Sequence, residues 1–134
     1  MKKLLLAILL IMLVGLGYIG YKYKTDRFFM RERVATSDTW GDSMEPTLHP
    51  GQEITGYKAE FEVGDIVSFD CYSDKCLKWG ETKYDGHFIK RLIKIRDDGA
   101  WWIDGDNKEN SFDSDYYGWL LPSEISDIWV IKVK

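Results

Sequence analysis

Three stretches of this chain hold residue types that can do hydrolytic chemistry. The first is Gly41-Asp42-Ser43-Met44-Glu45-Pro46-Thr47-Leu48, followed by His49-Pro50-Gly51. Its serine lies in turn-like sequence ahead of a β-like run, and Pro46 can fix the backbone so that the hydroxyl faces a cleft. Standing alone, such a serine reads as a solvated turn residue. A serine hydroxyl is a weak nucleophile until a neighbouring base takes its proton. The second stretch, His87-Phe88-Ile89-Lys90-Arg91-Leu92-Ile93, offers that base. In a strand, Phe88, Lys90 and Leu92 share one face, and Ile89, Arg91 and Ile93 share the other. Snorkelling cations on an edge strand are common. A lysine flanked by Phe88 and Leu92 is also open to desolvation, which lowers its pKa from about 10.4 and makes the neutral amine accessible. The third stretch, Gly105-Asp106-Asn107-Lys108-Glu109-Asn110-Ser111-Phe112-Asp113-Ser114-Asp115-Tyr116-Tyr117-Gly118, is polar and acidic.

Together these stretches resemble the bacterial Ser/Lys type of the type I signal peptidase family. The run from Ser43 to Leu48 resembles its Ser-Met-x-Pro-Thr-Leu nucleophile box. Lys90-Arg91 resembles its lysine box, in which the first cation is the base. Gly105-Asp106-Asn107 through Asn110-Ser111 and Asp113-Ser114 resembles its Gly-Asp-Asn box. The order is the family's, and the resemblance runs from about residue 40 to 131. It implies Ser43 as nucleophile, Lys90 as general base, and Ser111 bonding to the Lys90 amine and aiming it at Ser43. It also implies that Asp106 and Asp113 hold the site from behind. The reaction would be amide hydrolysis through an acyl-enzyme, on exported preproteins with small residues before the cut, using no cofactor and no metal. Two positions depart from the pattern. Asp115 stands where the family usually has arginine. Gly41, ahead of Asp42, stands where the family can place an oxyanion-binding hydroxyl, which leaves the Ser43 N–H and a backbone or water donor. Larger members insert a β domain between the second and third boxes. Here only residues 96–102 intervene, so the chain reads as a minimal-length member.

The acidic run has a second reading. Asp113, Asp115, Gly118 and Glu124 fall at positions one, three, six and twelve of a calcium-loop pattern. Tyr117 fills the fifth, where an oxygen ligand is needed, and no flanking helices are apparent. A zinc site built from Cys71, Cys76, His49 and His87 lacks a second cysteine pair.

The elements that must position these residues are mostly strands. β-like runs are expected at Gln52–Tyr57, Asp65–Phe69, His87–Ile95, Ala100–Ile103 and Ile128–Val133, with glycines 51, 64, 86, 99 and 105 between them. The sequence therefore predicts a mostly β domain of the signal-peptidase-like kind, preceded by one transmembrane helix. It divides into a membrane anchor over 1–23, a connector over 24–39 and a catalytic domain over 40–134. Residues 70–86 read as a polar surface loop holding both cysteines, and a disulfide between Cys71 and Cys76 and free thiols both stay open. One of Trp101 and Trp102 is expected in the core. Phe28, Phe29, Trp40 and Met44 read as core residues, with a dip into the bilayer as the alternative.

Lys2 and Lys3 precede an uncharged run from Leu4 to Tyr21, at the short end of what spans a bilayer. No Ala-x-Ala site follows, so the run reads as a retained anchor. Five cations, Lys22, Lys24, Arg27, Arg31 and Arg33, follow it. Counted alone they would keep the domain in the cytoplasm, whereas the family resemblance implies a single-pass cell-membrane protein with an extracytoplasmic domain. The remaining 110 or so residues suffice for one core. A net charge of −4 gives no reason to expect nucleic acid as partner. Preproteins and the lipid bilayer are the implied partners, and no oligomeric state follows from the sequence. Two other readings compete: a specialised processing peptidase of the same superfamily, for pilin or metalloenzyme maturation, and a membrane-anchored binding module with a decayed site.

Overall fold

A computed structural model of the chain describes residues 1–36, 39, 41–77 and 86–133. They divide into two units, Met1–Arg31 and Glu32–Lys134.

The first unit is helix α1 (Lys2–Thr25), whose most apolar 18-residue stretch has a mean hydropathy of 2.5 and which has no residue buried. At 1.5 Å per residue its 24 residues reach about 36 Å, enough to cross a hydrocarbon core of about 30 Å. Lys22 and Lys24 occupy its last turn, where cations favour the carbonyl end of the helix.

The second unit is built on one antiparallel sheet of six strands: β1 (Arg33–Thr36), β2 (Ile54–Tyr57), β3 (Ile66–Cys71), β4 (His87–Ile95), β5 (Trp101–Asp104) and β6 (Ile125–Lys132). Their spatial order is β1-β2-β6-β3-β4-β5. Between them lie helices of a single turn, α2 (Asp74–Leu77) and α3 (Ser114–Tyr117), and a 3₁₀ turn over Pro122–Glu124. Side-chain alternation gives the sheet two apolar faces. On one, Val67, Phe69 and Cys71 of β3 join Leu92 of β4, Trp101 and Ile103 of β5, and Leu120. On the other, Ile66 and Ile131 pack with Met44, Leu48 and Ile54, and Ile89 leans against them. Met44 and Leu48 thereby press the segment that carries Ser43 onto the sheet. Each such buried side chain contributes roughly 1.5–3 kcal/mol.

The mostly β expectation and the apolar N-terminal helix are both present. β4 has the expected bounds, while the other expected strands shift by one to three residues. β1 lies inside the stretch read as connector, so the sheet-bearing unit begins at Glu32. The surface-loop reading of 70–86 is corrected at its start. Asp70 and Cys71 finish β3, Asp74–Leu77 form α2, and a Cys71–Cys76 disulfide joins the two elements. Both cysteines are buried, at 0% and 3% exposure, because Cys71 follows Val67 and Phe69 at the inward-facing period of β3. Residues 78–85 of that loop, and Trp40, lie outside the described residues. Trp101 is the core tryptophan, edge-on to Phe61 and Phe69, while Trp102 is half-buried beside Trp119.

Candidate active site

Ser43 enters the site on a turn fixed at several points. Gly41 has φ +76°, a conformation glycine adopts without strain. Glu45 N donates to the Asp42 carbonyl (3.0 Å) and Leu48 N to the Met44 carbonyl (2.9 Å). Lys90 arrives from β4, opposite Val67 of β3. Its Nζ donates to Ser43 Oγ at 2.6 Å, and the residue is only 5% exposed. Burial lowers the Lys90 pKa from 10.5 to about 8, with the Asp113 carboxylate pulling weakly the other way. When the ammonium gives up its proton, the same contact reverses. The Ser43 hydroxyl then donates to the neutral amine, which is the geometry of a nucleophile with its base. Among the described residues nothing accepts the Ser43 N–H, so that donor is free for a developing oxyanion.

Arg91, on the opposite face of β4, ties this strand to the third box. Its guanidinium makes two bonds to Asp106, Nε to Oδ1 (2.7 Å) and Nη2 to Oδ2 (2.6 Å), and a third to the Gly64 carbonyl (2.7 Å). Thr47 Oγ1 donates to the same Asp106 carboxylate at 2.5 Å. The Arg91 bonds, opposed by partial burial, hold the Asp106 carboxyl below the usual carboxylate range. Asp106 thus joins β4, the Ser43 turn and its own loop. Asn107 and Asn110 complete the clamp. Asn107 N donates to the Ser43 carbonyl (2.9 Å), Asn107 Nδ2 to the Asp42 carbonyl (3.1 Å), and Asn110 Nδ2 to Asp42 Oδ1 (2.5 Å). At the crossing sits Gly105. A Cβ there would lie 2.5 Å from both Ser111 Cβ and the Ser43 carbonyl oxygen.

Asp113 is 2% exposed. Its carboxylate accepts from Gly105 N (2.9 Å) and from Asp115 N (3.2 Å), capping α3. Ser114 Oγ accepts from Ile103 N (2.9 Å), and Trp101 N donates to Leu120 O (2.8 Å). The Ser114 and Leu120 contacts occupy N–H groups of β5, the last strand of the sheet, and Asp113 holds Gly105 just beyond its end, so the third box is tied to the sheet's edge.

Ser43 and Lys90 meet as expected; Asp106 holds Thr47 of the same turn and Arg91 of the same strand, and the Asp113 carboxylate acts on Lys90. Ser111 differs. Its Oγ is buried with no hydrogen-bond partner among the described residues, and the bond to Lys90 is not formed. The side chain packs against Gly105 where the two loops cross, which holds it near the Ser43 backbone. Reasoning from the sequence missed Asn107, Asn110, Thr47 and the structural part of Gly105. An asparagine three residues from another in a polar loop was the available signal.

Two other polar groupings lie nearby. Carboxylate oxygens of Asp104, Asp113 and Asp115 come within 4.8 Å of one another, where a cation could be held. Lys108 already pairs with Asp104, while Asp104 Oδ1 and the Tyr117 hydroxyl are buried without partners among the described residues. Burial, with the two aspartates, pushes the Tyr117 phenol well above its ordinary range. Glu124, needed by the calcium-loop reading, instead bonds Ser73, Lys75 and the Leu121 N–H. The second grouping is Ser68, His87 and Asp70, with Oγ–Nε2 at 2.9 Å and Nδ1–Oδ1 at 2.6 Å. Ser68 is 3% exposed, so this array clips β3 to β4 and its hydroxyl is closed to a substrate.

Compared with models of known protein families and with curated proteins, the chain finds no match.

Proposed function

We propose that this chain is a membrane-anchored serine endopeptidase in which Ser43 attacks a peptide carbonyl and Lys90 takes and returns the proton. The carrying observation is the 2.6 Å approach of a buried, pKa-lowered Lys90 to a serine hydroxyl on a clamped turn. A buried amine with no opposite charge bonded to it is costly, and such perturbed groups concentrate at functional sites. Together with the resemblance of the three boxes to type I signal peptidases, this favours removal of signal peptides from exported preproteins, by a domain with the signal-peptidase fold on the extracytoplasmic side. Dedicated maturation of one client by the same dyad uses the same chemistry.

The test is incubation of purified protein with a panel of preproteins beside Ser43→Ala and Lys90→Ala. Each substitution is expected to abolish cleavage, and their losses should not add, because neither group works alone. More than a few per cent of wild-type activity in Lys90→Ala would defeat the dyad.

A further inference from the structure

The side chain immediately before the nucleophile is a carboxylate that no cation among the described residues pairs with. The Asp42 carboxylate is held by the Asn110 amide, a neutral group, and has no ion-pair partner among the described residues. Its surroundings add to the negative field. The loop that bonds it through Asn107 and Asn110 also carries Glu109, next to Asn110 in the chain, and the Asp113 carboxylate acts on Lys90 itself. Of the cations there, Arg91 is taken by Asp106 and Lys108 by Asp104, and Lys90 must be neutral to act as base.

We propose that Asp42 is a specificity-determining residue that favours substrates with a lysine or arginine close to the scissile bond and disfavours acidic ones. This rests on the reading of Ser43 and Lys90 as the catalytic pair. A peptide whose carbonyl carbon reaches Ser43 Oγ must lay its flanking side chains within a few residues of Asp42. At about 8 Å and an effective dielectric of 40–80, exchanging glutamate for lysine at one such position changes kcat/KM by about 5- to 30-fold. A cation arriving there also opposes protonation of Lys90, so the preference extends to the chemical step.

The test uses the full chain in detergent and peptides with small residues before the cut, carrying Lys, Gln or Glu in turn at each flanking position. Wild type is expected to prefer Lys over Glu by about 5- to 30-fold at one or more positions, and the ratio should shrink as salt is raised. Asp42→Asn keeps an oxygen for the Asn110 amide, and its Lys-to-Glu ratio should fall to within about 3-fold and lose its salt dependence. Asp42→Glu should restore the preference. A ratio unchanged in Asp42→Asn, or a wild-type enzyme indifferent to charge, would overturn the role of Asp42 and leave the catalytic pair standing. Absence of any cleavage, or cleavage that survives Ser43→Ala, would overturn the catalytic pair and this inference with it.

Discussion

With a pKa of about 8, Lys90 is mostly an ammonium at neutral pH, and only about a tenth of the protein holds the free base at pH 7. Cleavage is therefore expected to rise about tenfold per pH unit below that value and to level off above it. A profile flat between pH 6 and 9 would rule out a neutral-lysine base. The same shift carries a stability statement. The unfolded chain keeps its proton up to about 10.5, so between about 8 and 10.5 it binds more protons than the native state, and stability rises with pH across that window. Below about 8 both states are charged, and the native state bears the full cost of burying the ammonium. A shift of this size corresponds to about 3 kcal/mol, which exceeds the roughly 1 kcal/mol of the hydrogen bond to Ser43. Lys90→Met should thus be inactive and more stable at pH 7 by about 1–3 kcal/mol. The gain should vanish above about pH 10.5. Denaturant unfolding at both pH values measures it, and a less stable variant at pH 7 would contradict the buried charge.

At the scale of elements, the site depends on two loops crossing at Gly105. The sequence marks Gly105 only as a turn glycine, yet its φ is not in the left-handed region. What it needs is space, because Ser111 and the Ser43 carbonyl both close on its missing Cβ. Gly105→Ala is expected to lose about 1–3 kcal/mol of stability and to lower kcat by more than about tenfold as the Ser43 turn shifts. Unchanged kcat would mean that the crossing does not set the turn. β4 was legible to the residue because its apolar alternation is long. The ends of β2, β3, β5 and β6 were not, because strand ends are set by pairing with neighbours distant in sequence. β1 was hidden among cations, and Arg33–Thr36 gains its strand state only by pairing with β2. The contact between Ser43 and Lys90 was legible from residue type and from the resemblance of their boxes. The Asn107 and Asn110 clamp was not, because it exists only once loops some 65 residues apart meet. The cysteines show the same limit: a polar setting suggested exposure, but strand period put Cys71 in the core. Closing so short a loop, their disulfide should contribute about 2 kcal/mol. Unfolding midpoints that coincide with and without reductant would remove that contribution.

For the whole molecule the decisive question is which side of the membrane the sheet-bearing unit occupies. Two cations precede the uncharged run Leu4–Tyr21 and five follow it within Lys22 to Arg33, which favours retention in the cytoplasm. The proposed removal of signal peptides requires the other side, because such substrates are cut after crossing. A strongly apolar first segment can outweigh the charge count, and α1 has a mean hydropathy of 2.5 over its best window. The disulfide adds weight to the extracytoplasmic side, since such bonds persist where the medium is oxidising. It also removes the native cysteines as reporters, because both are bonded and buried. Asp97, exposed in the turn between β4 and β5, is a suitable replacement site. Asp97→Cys should react with a membrane-impermeant maleimide on intact cells without reductant, while the unmodified chain should not. Labelling that appeared only after the membrane was opened would place the unit in the cytoplasm. The Ser43–Lys90 pair could still be a peptidase there, but exported preproteins would be out of its reach, and the substrate class would have to be sought among cytoplasmic proteins.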